Sequence, residues 1–351
     1  MSLRVENQQL ASLLAAWLPG IPFTLRIGGQ GMNNTTRFVE AEDGRTYVLR
    51  VYNTHRDADK VRFEHETLLA LADQRLGFDV PRPLEAAGGG TFVRCSETGK
   101  LAALFVCLPG CSPERLQPDT WRQLAEAAAT LSVALRRVQP AAPAAYRPYY
   151  ELGETHPSCP LPAVAAWCER PPAAFAQLEA ELQALARQVA AFAEQAAGLR
   201  ELPHQLVHGD LNASNLLVDE RGRLCALLDF EFVTYDVRVM ELAVLLSDLL
   251  VPAQAPEGDE EAMWQTAEAC IRAFSERAGL TAEELSKLPL LVALRRLDVF
   301  IHFLGRYLDG TDEAGDLQRI IASSAKRLTW LDSRTDRLRA AISSARDFSA
   351  G

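Results

Sequence analysis

The chain has 351 residues, more than one hydrophobic core usually spans, so the sequence predicts two domains. Apolar residues make up 48% and charged residues 23%, as in a water-soluble globular enzyme. The surplus of 46 acidic over 36 basic residues, a net charge of -10, excludes a dedicated nucleic-acid binder, which needs a basic face. The seven cysteines are odd in number and form no Cys-x-x-Cys pair, which excludes a disulfide framework or a zinc cluster and predicts thiols in a reducing compartment.

In chain order, the opening MSLRVENQQL lacks the basic patch and apolar core of a signal peptide, and no apolar run reaches membrane-spanning length. The expectation is a cytoplasmic protein with no membrane partner. Residues 7–18 carry a short helical pattern that Pro19-Gly20 ends. Strands are predicted at Phe23–Ile27, Thr35–Ala41 and Thr46–Tyr52, the last two joined by the hairpin turn Glu42-Asp43-Gly44-Arg45. Gly28-Gly29-Gln30-Gly31-Met32-Asn33-Asn34 links the first strand to the second. By itself such a stretch reads as a plain turn. Its strand-to-strand setting excludes a Rossmann site or Walker P-loop, both of which enter a helix, while Gly28, Gly29 and Gly31 would let backbone amides approach phosphate oxygens.

A helix is predicted over Asp57–Gln74, with Phe63, Leu68, Leu69 and Leu71 on or near one face. Strands at Thr91–Cys95 and Leu101–Leu108 follow, the second broken by Pro109-Gly110. A strand-rich N-terminal domain over residues 1–108 and a mainly helical one over 109–351 result. The second domain should hold a helix at Gln117–Val138, an irregular proline-rich segment from Pro140 to Pro172, and a helix at Ala173–Ala197 capped by Gly198. A hairpin at 215–228 and three or four more helices complete it.

Chemistry concentrates in LVHGDLNASNLLVDERGRLCALLDFEF, Leu206–Phe232. A loop carries Asp210, a strand begins at Asn215, and a turn at Glu220-Arg221-Gly222 returns the chain to Asp229. Such a hairpin can bring Asn215 and Asp229 together although 14 positions separate them. Taken singly, each of the three reads as a turn, cap or strand-end residue. As a spaced set they suit phosphoryl transfer: Asn215 and Asp229 as hard oxygen ligands for magnesium, and Asp210 as the base that accepts a proton from an acceptor hydroxyl. His208 reads as a buried loop support, since Asp210 is better placed to act.

His208-Gly209-Asp210, four intervening residues and Asn215, followed by Asp229-Phe230-Glu231, resembles the signature of the aminoglycoside phosphotransferase, choline kinase and homoserine kinase-like superfamily. The resemblance covers residues 20–310 and implies a bilobal, protein-kinase-like α+β fold, with a small N-terminal antiparallel-sheet lobe and a larger helical C-terminal lobe. It also implies ATP and Mg2+ as cofactors and phosphorylation of a small-molecule hydroxyl. Asp236 and Glu241, within YDVRVMELA, fall where the family has supports for the catalytic loop; an aspartate is usual where Glu241 stands. The resemblance further implies a nucleotide site of the glycine segment, a cation on the third strand, a glutamate on the following helix, and the hinge Leu104–Leu108, represented by Val106 and Leu108. The family's strand lysine is here Arg50, and its expected partner is Glu64, with Glu66 as the fallback.

The acceptor pocket is expected near Glu231 and along LRRLDVFIHFLGRYLDG, Leu294–Gly310, where Arg295, Arg296, His302 and Arg306 could meet a substrate carboxylate; surface salt bridges are the plainer role for most of them. The favoured acceptor is homoserine or a related amino acid or amino alcohol. An aminoglycoside or sugar kinase of the same superfamily, and a catalytically weak nucleotide-binding regulator, are the alternatives. The arginine-rich C-terminal region disfavours a polycationic acceptor, and the acidic run Glu257–Glu261 reads as a solvated loop.

Overall fold

Alternation in TYVLRVY sets the architecture of the N-terminal part of the chain. In the computed structural model, which describes residues 9–30, 34–53, 57–250 and 260–347, this segment is strand β3 (Thr46–Tyr52). Tyr47, Leu49 and Val51 point into a core with Leu10, Leu14, Leu18, Val39 and Leu104, while Arg50 projects from the opposite face. Strands β1 (Phe23–Gln30), β2 (Asn34–Ala41), β4 (Val93–Arg94) and β5 (Leu101–Val106) complete an antiparallel sheet of order β1-β2-β3-β5-β4. Residues 9–14 are helical and cover its apolar face.

Strand β1 runs through Gly28 and Gly29, beyond its predicted end at Ile27, with a register shift between Ile27 and Gln30. A Cβ on Gly28 would lie 2.9 Å from Thr36 Cγ2 and 3.0 Å from its carbonyl oxygen, so the neighbouring strand passes where only glycine fits. Gly31, Met32 and Asn33 lie outside the described residues.

Helix α1 (Ala58–Ala72) starts at Asp57, whose carboxylate accepts from Asp59 N at 2.9 Å, and buries Val61, Phe63, Glu64, His65, Leu68 and Leu71. The chain divides into two compact units. The first comprises Met1–Ser112, Arg137–Ala145 and Leu216–Phe232, and the second Pro113–Arg136, Tyr146–Asn215 and Val233–Gly351. The hairpin β7 (Leu216–Val218) and β8 (Leu224–Leu227) packs within the first unit, where Cys111 N donates to Val218 O at 3.0 Å and Asp79 N to Cys225 O at 2.8 Å.

The second unit is built from helices α2 (Pro118–Leu135), α3 (Leu161–Glu169), α4 (Glu179–Gln195), α5 (Met240–Leu249), α6 (Glu260–Ala278), α7 (Ala282–Ser286), α8 (Leu288–Leu308), α9 (Ala314–Asp332) and α10 (Thr335–Asp347). Helix α5 packs on α8, and α8 on α9. A short antiparallel ladder, β6 (His204–Val207) with β9 (Thr234–Val237), flanks the segment 208–215 in sequence.

Several expectations change. After the hairpin, six helices (α5 to α10) and not three or four run through the described residues. The stretch Pro140–Pro172 is not wholly irregular: α3 lies in it, tolerating prolines because they occupy its first turn, where backbone N–H groups have no helical partner anyway. Gly198 is not a left-handed cap but part of a 3-10 turn, Ala196–Glu201, that continues from α4. Of the acidic run, Glu260 and Glu261 begin α6 and pair with Arg334 and Arg337, while Glu257, Gly258 and Asp259 lie outside the described residues. All seven cysteines are free thiols. No helix among the described residues is long and apolar enough to cross a membrane.

Candidate active site

In the first unit, Arg50 Nη1 lies 2.9 Å from Glu64 Oε1 and Nη2 lies 3.3 Å from Asp229 Oδ1. Burial works against the arginine charge, but Glu64 and Asp229 outweigh it and raise the guanidinium pKa. Burial lifts Glu64 to about 7, against the pull of Arg50. The second oxygen of Glu64 accepts from Tyr52 Oη at 3.2 Å, and the same hydroxyl lies 3.2 Å from His65 Nε2. Burial lowers His65 to about 3, so the ring is neutral, and its Nδ1 lies 2.6 Å from Thr91 Oγ1. Glu66 instead accepts from Ala142 N at 2.9 Å. A polar chain thus runs from Asp229 through Arg50 and Glu64 to the core.

Asp229 follows β8 with φ of 64°, the one non-glycine left-handed residue among those described, a conformation that costs about 1–3 kcal/mol and that function commonly retains. Its Oδ2 makes no hydrogen bond among the described residues. Glu231, in the 3-10 turn Phe230–Phe232, is buried and accepts from Asn34 Nδ2 at 2.7 Å, while Asn34 Oδ1 is buried without a partner. On the predicted hinge, Val106 N is committed to Arg82 O at 3.2 Å, whereas Leu108 N has no backbone partner.

In the second unit, Asp210 lies on a loop held from three directions, by Glu241, Tyr149 and Asp248. Gly209 has φ of 80°, where a side chain would be strained. Glu241, from the first turn of α5, accepts from His208 N at 2.6 Å and Gly209 N at 3.2 Å. Tyr149 Oη donates to Gly209 O at 2.8 Å, and Tyr149 N donates to Asp236 Oδ2 at 2.6 Å. Asp248 Oδ2 accepts from Ala213 N at 2.9 Å. His208 is fully buried, and its Nδ1 accepts from Asp210 N at 3.2 Å. Burial raises both Glu241 and Asp236 to about 7, opposed in each by the backbone N–H groups they receive.

Two side chains fix the Asp210 carboxylate. Asn215 Nδ2 donates to its Oδ2 at 3.0 Å and to its carbonyl oxygen at 2.8 Å, and Arg295 Nη2 reaches its Oδ1 at 2.5 Å. Arg295 also bonds Asp298 Oδ2 at 2.9 Å and stacks 5.5 Å from the Tyr149 ring centroid. With Nδ2 doubly engaged, the orientation of the Asn215 amide is set, leaving Oδ1 as a hard oxygen whose contact is Ser214 Oγ at 3.4 Å. Arg306 is distant in role: it forms a two-pronged pair with Asp312 at 2.6 and 2.7 Å.

Tyr149, Asp248 and Asp298 escaped the sequence reading. No motif marks them, and they lie 38 to 88 positions from Asp210 along the chain. An oriented carboxylate beside an oriented amide oxygen is suited to hold a hydroxyl and accept its proton.

Residues 24–274 match the phosphotransferase enzyme family (APH). The homoserine kinase of Caulobacter vibrioides is 26% identical over 320 residues, covering 90% of this chain and 91% of that protein. A solved microcompartment-associated aminopropanol kinase gives a TM-score of 0.65 at 18% identity over 95% of this chain and 98% of that one. Amicoumacin kinase, solved with AMP-PNP and Ca2+, gives 0.66 at 16% identity over 95% and 96%. The fold is therefore that of protein-kinase-like phosphotransferases, as the glycine segment and the loop 208–215 implied. The chain belongs to the phosphotransferase enzyme family and is a small-molecule kinase.

Proposed function

We propose that this kinase transfers phosphate from ATP, with Mg2+, to the hydroxyl of homoserine or a related amino acid or amino alcohol. The observation that carries the reading is the Asp210 carboxylate, oriented by Asn215 and Arg295 on a loop braced by Glu241, Tyr149 and Asp248. The homoserine kinase relatives and the aminopropanol kinase fold support the acceptor class.

Asp210 accepts the hydroxyl proton and aims the oxygen. Arg50, positioned by Glu64, meets the nucleotide phosphates, with backbone groups of the Gly28, Gly29 and Gly31 segment. Leu108, with its N–H open, and the exposed Val106 side chain receive adenine. Asn215 Oδ1, in the second unit, and the open Asp229 Oδ2, in the first, are each hard oxygens of the kind that magnesium takes. Bound magnesium would offset charge on the phosphates. Glu231, buried against Asn34, is assigned a place lining the acceptor region through its segment.

The test is acceptor-dependent ADP release from ATP and Mg2+, with a panel of hydroxylated amino acids, amino alcohols, sugars and aminoglycosides, and the phosphomonoester identified by mass. Homoserine or a close analogue should give the highest kcat/KM. Preference for a sugar or aminoglycoside would overturn the acceptor assignment, and tight ATP binding without turnover would overturn the enzymatic one.

A further inference from the structure

Glu64 spends one oxygen, Oε1, on Arg50 at 2.9 Å and turns the other into the protein. A series of uncharged groups follows it there. Tyr52 Oη lies 3.2 Å from Oε2, His65 Nε2 lies 3.2 Å from that hydroxyl, and Thr91 Oγ1 lies 2.6 Å from His65 Nδ1. Glu64, Tyr52 and His65 are all buried.

Counting protons gives the series a direction. The Tyr52 hydroxyl carries one proton, and an ionised Glu64 can only accept. With that proton given to Glu64, His65 Nε2 must carry a proton of its own, or a buried acceptor is left unpaired at a cost. Burial lowers His65 to about 3, so the ring is neutral and its Nδ1 is then bare, free to take the proton of the Thr91 hydroxyl. Every donor points towards Glu64. The carboxylate has need of them: burial pushes Glu64 up to about 7, Arg50 opposes this, Glu231 and Asp229 add to it, and the hydrogen bond from Tyr52 opposes it again.

We propose that Thr91, His65 and Tyr52 are positioning residues of the nucleotide site, a one-way hydrogen-bond relay, set by the Nε2–H tautomer of His65, that holds Glu64 as the carboxylate which aims Arg50. The same ring supports Arg50 by a second route. His65 stands edge-on to Phe105, with centroids 5.4 Å apart, and Arg50 Cζ lies 5.4 Å from the Phe105 ring centroid. The relay stands on the geometry of the first unit alone, while its effect on ATP rests on the kinase reading above.

The experiment reads the tautomer from the ring 15N shifts of the histidine-labelled full chain at pH 8.5, with His65→Gln identifying the resonance. Wild type should show Nε2–H. In Glu64→Gln, Arg50 keeps the amide oxygen, the new NH2 donates to Tyr52 Oη, and the Tyr52 proton turns to His65. The ring should then change to Nδ1–H and donate to Thr91, an exchange that a merely structural contact would not produce. Nδ1–H in wild type, or one tautomer shared by wild type and Glu64→Gln, overturns the relay. In kinetics, Tyr52→Phe and Thr91→Val should each raise KM for ATP by about 5- to 30-fold with kcat little changed, as expected for a buried hydrogen bond left unmade. Thr91→Ser keeps the hydroxyl and should restore most of the loss. A defect confined to kcat overturns the positioning role. Absence of wild-type turnover with every acceptor overturns the kinase reading, and the tautomer still decides the relay.

Discussion

Arg50 lends one arm of its guanidinium, Nη2, to Asp229 at 3.3 Å while the other arm holds Glu64 at 2.9 Å. A lysine ammonium is a point charge on a flexible stem and cannot copy this two-armed span. Arg50→Lys should therefore lose one contact, costing about 1–2 kcal/mol in urea unfolding and raising KM for ATP. Arg50→Met strips Glu64, only 3% exposed, of its counter-charge. Breaking a buried pair costs about 3–5 kcal/mol when the remaining charge persists. Glu64 already sits near 7, so it can instead take up a proton, and the loss should fall at or below the lower end of that range. The deficit should widen above pH 7, where wild-type Glu64 has ionised and the variant's has not. A pH-independent deficit would mean that Arg50 does not set the charge of Glu64.

Asp210→Asn should lower kcat by about 10²–10⁴-fold, the usual contribution of a positioned base, while ATP still binds. Charged Arg295 takes the oxygen of the substituted amide, which sets its NH2 against the Asn215 Nδ2, two donors facing each other, so Asn215 must turn. The dependence on magnesium concentration should shift along with kcat. Turnover within tenfold of wild type would remove Asp210 from the role of base.

Tyr149→Phe isolates one brace of the loop. It keeps the ring beside Arg295 and the backbone bond to Asp236, and deletes only the hydrogen bond to Gly209 O. Burial holds the Tyr149 hydroxyl well above its usual range, so it is a neutral donor at all working pH values. The variant should lose about 1–2 kcal/mol of stability and a modest factor in kcat, with KM for ATP unchanged. A rise in KM for ATP without a change in kcat would contradict a role confined to the loop.

The local devices were legible in the sequence, and the distant ones were not. The Arg50–Glu64 pair was legible through the family resemblance, which expects a cation on the third strand and a glutamate on the following helix, and the hairpin between Asn215 and Asp229 follows from its turn residues. Tyr149 meets Gly209 across 60 positions and Arg295 meets Asp210 across 85, through residues that sit in no recognisable pattern. The β6–β9 ladder joins two four-residue strands separated by residues 208–233, too short to show alternation. Helix α3 was hidden because Pro160 and Pro162 look like breakers, although proline at a helix start is favourable.

Glu241 gives the loop a pH dependence of its own. It is fully buried, and burial lifts its carboxyl to about 7 against the two backbone N–H groups it accepts. The folded state therefore holds a proton more tightly than the unfolded chain, whose carboxyl titrates near the ordinary value of about 4.3. Between these two values the folded protein binds more protons, so stability falls as pH rises through the window and levels off above about 7. One such group contributes a slope of at most about 1.4 kcal/mol per pH unit. Buried Asp236, also raised to about 7, adds in the same direction. Glu241→Gln removes one titrating group while keeping the shape, so its melting temperature should decline less than that of wild type between pH 5 and pH 7. Parallel curves would show that Glu241 stays ionised throughout, held so by His208 N and Gly209 N, and that the loop is locked by charge at every pH in the range.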